Sequence, residues 1–194
     1  MAVLPPSVEV RLRALPKGLR DHIARARTLA VELARLHGAD DEAADLAAAC
    51  HDLARALKPA VLLSEAHRLG LAVGPFERRT PILLHGPVAA AWLGADGDVD
   101  DPRVLGAVRW HTTGRVGMDI VEKVVFVADK AEPEKVAHDP SLQRVRKLGQ
   151  EDLDKAILEY LDMQIAELLG KGLLIHPRAL ELRNDLVIRL GPRK

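Results

Sequence analysis

The chain has 194 residues, 28 Lys and Arg balanced by 28 Asp and Glu, one cysteine and only 3% aromatic residues. That length can bury one sizeable core, and the neutral balance excludes a global field that would draw the chain to nucleic acid or an anionic membrane. The lone Cys50 excludes an intramolecular disulfide framework, and no apolar run approaches the roughly 18 residues of a spanning helix.

Enrichment in Ala, Leu, Arg and Glu favours helix and leaves little material for strands, so an all-α bundle is expected. Met1 to Leu4, broken by Pro5, Pro6 and Glu9, is too short for a signal peptide. The expectation is a single cytoplasmic domain over residues 1–194, with its core at about 19–170 and the C-terminal helices packed on it.

In chain order, Leu19 to His37 carries Ile23, Ala26, Ala30, Leu33 and Ala34 at helical steps and ends before Gly38. Asp41 and Glu42 open a second helix, with Leu46, Ala49, Cys50, Leu53 and Leu57 on one face, which Pro59 stops. A short helix is expected at Ala60 to Leu69, then a loop near Gly74 and Pro75. Pro87 suits a first helical position, so Val88 to Leu93 should be helical with His85 just ahead of it. Asp96 to Asp101 reads as a loop, and Pro102 starts a helix that Thr113-Gly114 ends. Met118 to Glu132 is read as helix; its Val124-Val125-Phe126-Val127 core alone would suit a strand, but length and charged flanks decide. Leu153 to Leu168 is amphipathic, and a last helix follows Pro177. The apolar faces of these last two helices suit a homodimer interface as well as a core.

His51-Asp52 is an adjacent pair on an otherwise Ala- and Leu-rich helix, and its two side chains point about 100° apart. They can share a metal ion only at the helix shoulder, with other helices supplying further ligands. His22 and Asp129 lie on separate helices among apolar neighbours, and an ionised aspartate buried without a partner would be costly. Asp129 alone reads sooner as a hydrogen-bonded core residue or a helix-surface position than as a ligand. Taken together, His22, His51, Asp52 and Asp129 form the mixed nitrogen and oxygen set of a hard or borderline metal. His85 and His111 can face the same centre, with Asp52 bridging to a second ion. His37, His67, His138 and His176 read as surface or capping groups, and Cys50 as a buried, inert thiol.

His51-Asp52-Leu53-Ala54-Arg55, His85-Gly86-Pro87, the run Arg109 to Arg115 around His111-Thr112-Thr113-Gly114, and Ala128-Asp129-Lys130 with Glu132-Pro133 resemble the YqeK-type HD hydrolases. These are similar to symmetrical bis(5′-nucleosyl)-tetraphosphatases. The resemblance runs from about Arg20 to the C-terminus, including Ile175-His176-Pro177 and Arg183-Asn184. It implies an HD-domain helical bundle with one metal on His22, His51, Asp52 and Asp129, and a second on His85, His111 and a bridging catalytic Asp52. It also implies iron as the metal, with Mn, Co or Zn as alternatives, and cleavage of diadenosine tetraphosphate into two ADP. This sequence departs from the pattern at Lys135, where an arginine is usual, and at Ala131, where a larger aliphatic is usual.

Two ions ~3.5 to 4 Å apart would lower the pKa of a bound water to about 7 and supply hydroxide for in-line attack on phosphorus. With neutral histidines such a centre carries about one net positive charge, so a neutral chain can hold a polyphosphate. Arg109, Arg115, Lys130 and Lys135 are candidates for the phosphates, against a reading as solvated surface charge that is favoured for each except Arg115, which a loop can aim at the metals. Thr112 and Thr113 suit phosphate contact and helix capping equally. Competing readings are a hydrolase of another phosphate ester, such as a deoxynucleotide, cyclic dinucleotide or guanosine alarmone, and a weakly catalytic nucleotide-binding regulatory module.

Overall fold

In the computed structural model, which describes residues 2–191, twelve α-helices and one 3-10 turn follow one another without a strand among the described residues. They are α1 (Pro6–Ala14), α2 (Lys17–Leu36), α3 (Asp41–Cys50), α4 (Pro59–Arg68), α5 (Pro75–Arg79), the 3-10 turn Pro81–Leu84, α6 (His85–Ala95), α7 (Pro102–Trp110), α8 (Ile120–Ala131), α9 (Pro133–His138), α10 (Leu142–Glu151), α11 (Leu153–Gly170) and α12 (Pro177–Leu190). Met1 and the last three residues, included in the expected 1–194 unit, lie outside the described residues. No helix is long and apolar enough to cross a membrane.

The helices start and stop where local chemistry directs. Asp40, Asp101, Asp119 and Asp152 each accept a hydrogen bond from a first-turn backbone N–H as N-caps. Beyond α2, Gly38 takes φ 67°, a left-handed conformation that glycine adopts without penalty. The central layer is α2, α3, α7 and α8, which pack on one another, with α6 against α7 and α10 and α11 against α8. Small residues allow the close approach: Ala44, Ala47, Ala48 and Ala49 of α3 and Ala30 and Ala34 of α2 have no exposed surface. Larger groups such as Leu33, Phe126, Leu161 and Leu186 fill the rest, each contributing about 1.5–3 kcal/mol by leaving water.

Four boundaries differ from the sequence reading. Regular α3 stops at Cys50, and His51 to Leu57 runs on in tight turns closed by Leu53 N–H to Cys50 O (3.2 Å) and Arg55 N–H to Asp52 O (3.0 Å). His85 is the first residue of α6 rather than a group ahead of it, because the 3-10 turn hands over to the helix directly. Pro75 opens the short helix α5 instead of a loop, with the Glu77 carboxylate accepting from Gly74 N–H at 2.8 Å. The C-terminal helix runs from Pro177 to Leu190 and is not short. The ambiguous valine run is helical, and its ambiguity has a cause: α8 is buried on nearly every side, so hydrophobic periodicity carries no information there. Helices α1, α9 and α10 fall outside the predicted set. Of these α10 is legible afterwards, since Leu142, Val145 and Gly149 are its buried stripe. On α11 and α12, Ile157, Leu161, Leu182 and Leu186 are buried within the chain, while Leu169, Leu180 and Ile188 stay exposed.

Candidate metal centre

Six side chains from five segments converge at the middle of the central layer. His22 comes from the first turns of α2, His51 and Asp52 from the turn after α3, His85 from the start of α6, His111 from the end of α7, and Asp129 from the last turn of α8. All six are buried. Gly86 permits the α6–α7 approach, because a Cβ there would lie 2.8 Å from Val108 O and 3.1 Å from His111 Cε1.

The donor atoms fall into two groups. In the first, His22 Nε2 lies 3.1 Å from Asp129 Oδ1 and 3.3 Å from His51 Nε2, while Asp52 Oδ2 stands 3.5 Å from His51 Nε2 and 3.8 Å from His22 Nε2. In the second, His85 Nε2 lies 2.8 Å from His111 Nε2 and 3.0 Å from Asp52 Oδ1. Asp52 therefore turns one oxygen to each group. Bonds of about 2.0–2.2 Å to a divalent ion put neighbouring ligand atoms roughly 3 to 3.5 Å apart, and both groups have that spacing.

Their protonation fits a cation. His51, His85 and His111 each direct Nδ1 at a backbone carbonyl, of Ala48, Ile82 and Val108 respectively. A neutral ring that donates from Nδ1 has only a lone pair at Nε2. Burial holds His111 neutral, its pKa pushed down to about 3. Its Nε2 lies 2.8 Å from the Nε2 of His85, a ring braced in the same way, and with Asp52 Oδ1 beside them the two offer a cation three donor atoms. Burial opposes ionisation of Asp52, yet His51 and hydrogen bonds from His111 and His85 hold its carboxyl well below the usual range. Burial opposes Asp129 as well, and Lys130 and Lys135 keep it ionised.

Three further residues tie the first group together. Glu132 accepts from His22 Nδ1 at 3.2 Å and is itself held by Arg25 at 2.6 Å, the carboxylate–histidine arrangement that fixes a ligand's tautomer. Lys130 Nζ reaches Asp129 Oδ2 at 2.6 Å and also donates to His111 O, so this buried cation spans both groups. Its stem end lies over the Phe126 ring, 4.4 Å from the centroid. Lys135 Nζ donates to both Asp129 O (2.6 Å) and Asp129 Oδ1 (2.7 Å).

A cavity of about 300 Å³ opens on four of the six residues, Asp52, His85, His111 and Asp129. Lys130, Lys135 and Thr112 line it, and so do Arg55, Tyr160 and Gln164, which the sequence reading did not assign. Arg55 had a local signal, standing three residues after Asp52. Tyr160 and Gln164 had none beyond their places on α11. Thr112 Oγ1 sits 3.1 Å from His111 Nε2 and 3.3 Å from His85 Nε2, facing the site rather than capping α7. Thr113 instead donates to Gly114 O. Arg115, expected to be aimed at the metals, is drawn off by Glu122 at 2.6 Å, and a buried carboxylate outcompetes an open site for a guanidinium. Arg109 lies against Trp110, outside the cavity wall. Of the remaining histidines, His176 caps α12 and His37 bonds Gly149 O, while His67 and His138 are exposed. Cys50 is fully buried, its thiol pushed up to about 12.

An all-α core with paired histidine–aspartate clusters facing a polar cavity defines a class of phosphohydrolase whose donor groups are arranged for metal. The chain belongs to the HD-domain family: the family's model matches residues 19–134. It is 34% identical over 167 residues to the symmetrical bis(5′-nucleosyl)-tetraphosphatase of Halalkalibacterium halodurans, covering 86% of this chain and 88% of the relative. The enzyme of that name from Bacillus subtilis is 32% identical, with 86% of this chain and 88% of the relative covered. A solved HD-superfamily hydrolase of Clostridium acetobutylicum, described as involved in NAD metabolism, matches with a TM-score of 0.90 at 30% identity, covering 97% of this chain and all of that one.

Proposed function

We propose that this HD phosphohydrolase splits diadenosine tetraphosphate, or a closely related dinucleoside polyphosphate, at its centre to give two ADP. In this reading His22, His51, Asp52 and Asp129 hold one transition-metal ion, and His85, His111 and the other oxygen of Asp52 hold a second. The observation that carries it is the division of the Asp52 carboxylate, Oδ2 toward one donor group and Oδ1 toward the other. Mixed imidazole and carboxylate donors favour iron, with Mn, Co or Zn as substitutes, over Mg. Such ions, when bound, would polarise phosphoryl oxygens and acidify a water.

The chain's own part is placement and charge. Asp52 orients both donor groups at once. Glu132 and the three backbone carbonyls hold the histidine rings so that Nε2 faces inward. Lys130, fixed on Asp129 and His111 O, keeps the two groups at one spacing. Arg55 and Lys135 at the cavity wall supply positive charge toward a polyphosphate, Lys135 as a point charge. The names of the three curated relatives, including that of Staphylococcus aureus at 29% identity, support the substrate and the symmetric cut.

Metal-loaded protein should hold close to two ions per chain by elemental analysis and convert diadenosine tetraphosphate to ADP alone. Equal yields of AMP and ATP would overturn the symmetric reading. Turnover of a deoxynucleotide, cyclic dinucleotide or guanosine alarmone instead would reassign the substrate, and metal binding without turnover of any of these would make the chain a regulatory module.

A further inference from the structure

Most arginines of this chain are neutralised by carboxylates, as Arg25, Arg27, Arg115 and Arg183 are. Arg109 and Arg178 are not: among the described residues neither guanidinium has an ion-pair partner. Both lie on the indole of Trp110, at 4.9 Å and 4.6 Å from its centroid, although α7 and α12 bring them from opposite ends of the sequence. The Nε of Arg109 is buried and makes no hydrogen bond. Two like charges close together, one of them partly desolvated, are an unfavourable arrangement that a bound anion would relieve.

The two guanidiniums face a cavity of about 240 Å³ that also includes Trp110, Thr112, Glu77 and His176. Glu77 does not neutralise them, since its carboxylate accepts from Gly74 N–H at 2.8 Å and lies 3.3 Å from His176 Nε2. Thr112 stands in the wall of this cavity and of the cavity at the metal-ligand groups, so one side chain separates the two spaces. Planar guanidiniums with free N–H groups match phosphoryl oxygens, and an indole offers a stacking face to a base.

We propose that Arg109 and Arg178, stacked on Trp110, form a phosphate-binding subsite that receives the arm of the substrate extending past Thr112 from the point of cleavage. This rests on the reading of the substrate as a polyphosphate. It makes the protein grip one half of a symmetrical substrate by guanidinium forks in the space next to the metal-ligand cavity, on the other side of Thr112.

The test uses metal-loaded protein and inorganic tripolyphosphate, with adenosine as the uncharged control. Tripolyphosphate should alter the tryptophan fluorescence of wild type and of Trp92→Phe, but not of Trp110→Phe. Arg109→Gln and Arg178→Gln should each weaken tripolyphosphate and ADP binding about tenfold, the range expected for losing one charge-assisted contact, and leave adenosine binding unchanged. In turnover the KM for diadenosine tetraphosphate should rise by more than kcat falls, and the thermal midpoint should hold because no ion pair is broken. Unchanged tripolyphosphate and ADP affinity in both variants would overturn the subsite. If diadenosine tetraphosphate is not a substrate, the binding and fluorescence arms still decide the question, which separates this proposal from the functional one.

Discussion

The two donor groups are built differently. The first is braced by charge: Glu132 on His22, with Lys130 and Lys135 on Asp129, all from the end of α8 and the start of α9. The second is braced by backbone: His85 and His111 rest on carbonyls one turn back, and the only carboxylate it sees is the shared Asp52. A site with Asp129, a share of Asp52 and a histidine buttressed by Glu132 should hold a divalent ion more tightly than one with a share of Asp52 and two imidazoles. Under the proposed function this predicts an order of filling: the first ion should bind firmly, and the second should complete the centre for hydrolysis.

The most severe way to break this asymmetry is Asp52→Ala, which removes the only group common to both halves. Both ions should be lost and hydrolysis should fall to background, as elemental analysis and a turnover assay would register; near-normal activity in the folded variant would contradict the bridging role. Next in size, His85→Ala or His111→Ala should leave one tightly held ion and lose most of the hydrolysis, with substrate affinity falling less than turnover. Unchanged stoichiometry and unchanged turnover would reduce these two to core histidines.

Glu132→Gln sharpens the contrast from the other side. Loss of the carboxylate on His22 should cost about 10- to 100-fold in affinity for the first ion and spare the second, by metal titration. Equal weakening of both would show that the two halves do not bind independently. The smallest effect is expected from Gly86→Ala, whose added methyl would meet the Val108 carbonyl at 2.8 Å and push α6 from α7. The cost should be about 1–3 kcal/mol, seen as a lowered thermal midpoint, with affinity reduced at the second site alone.

Legibility followed the same division. His22, His51, Asp52, His85, His111 and Asp129 could be picked out because histidines and aspartates in Ala- and Leu-rich helices are conspicuous against their background, and the structure brings all six together. Glu132 was visible only as part of Glu-Pro: its capping of α9 is local, but accepting from His22 needs a helix more than a hundred residues away. The cations were least legible. Arg115 follows the Thr112-Thr113-Gly114 turn as a site residue would, but Glu122 captures it. Tyr160 and Gln164 reach the cavity through the packing of α11 on α8, and Arg55 reaches it from the turns after α3.

By itself the sequence determined the helical class, most of the helices, the family and the short set of groups able to bind metal. All of these depend on propensity, on capping residues such as Asp40 and Asp119, and on residue types, which act over a few positions. Only the tertiary structure decided that Asp52 divides its oxygens between two groups, that Lys130 is buried between them, and which arginines are left without a carboxylate. Those outcomes depend on where distant helices deliver charge, and a long side chain takes its direction from the nearest opposite charge in space, whatever its neighbours in sequence.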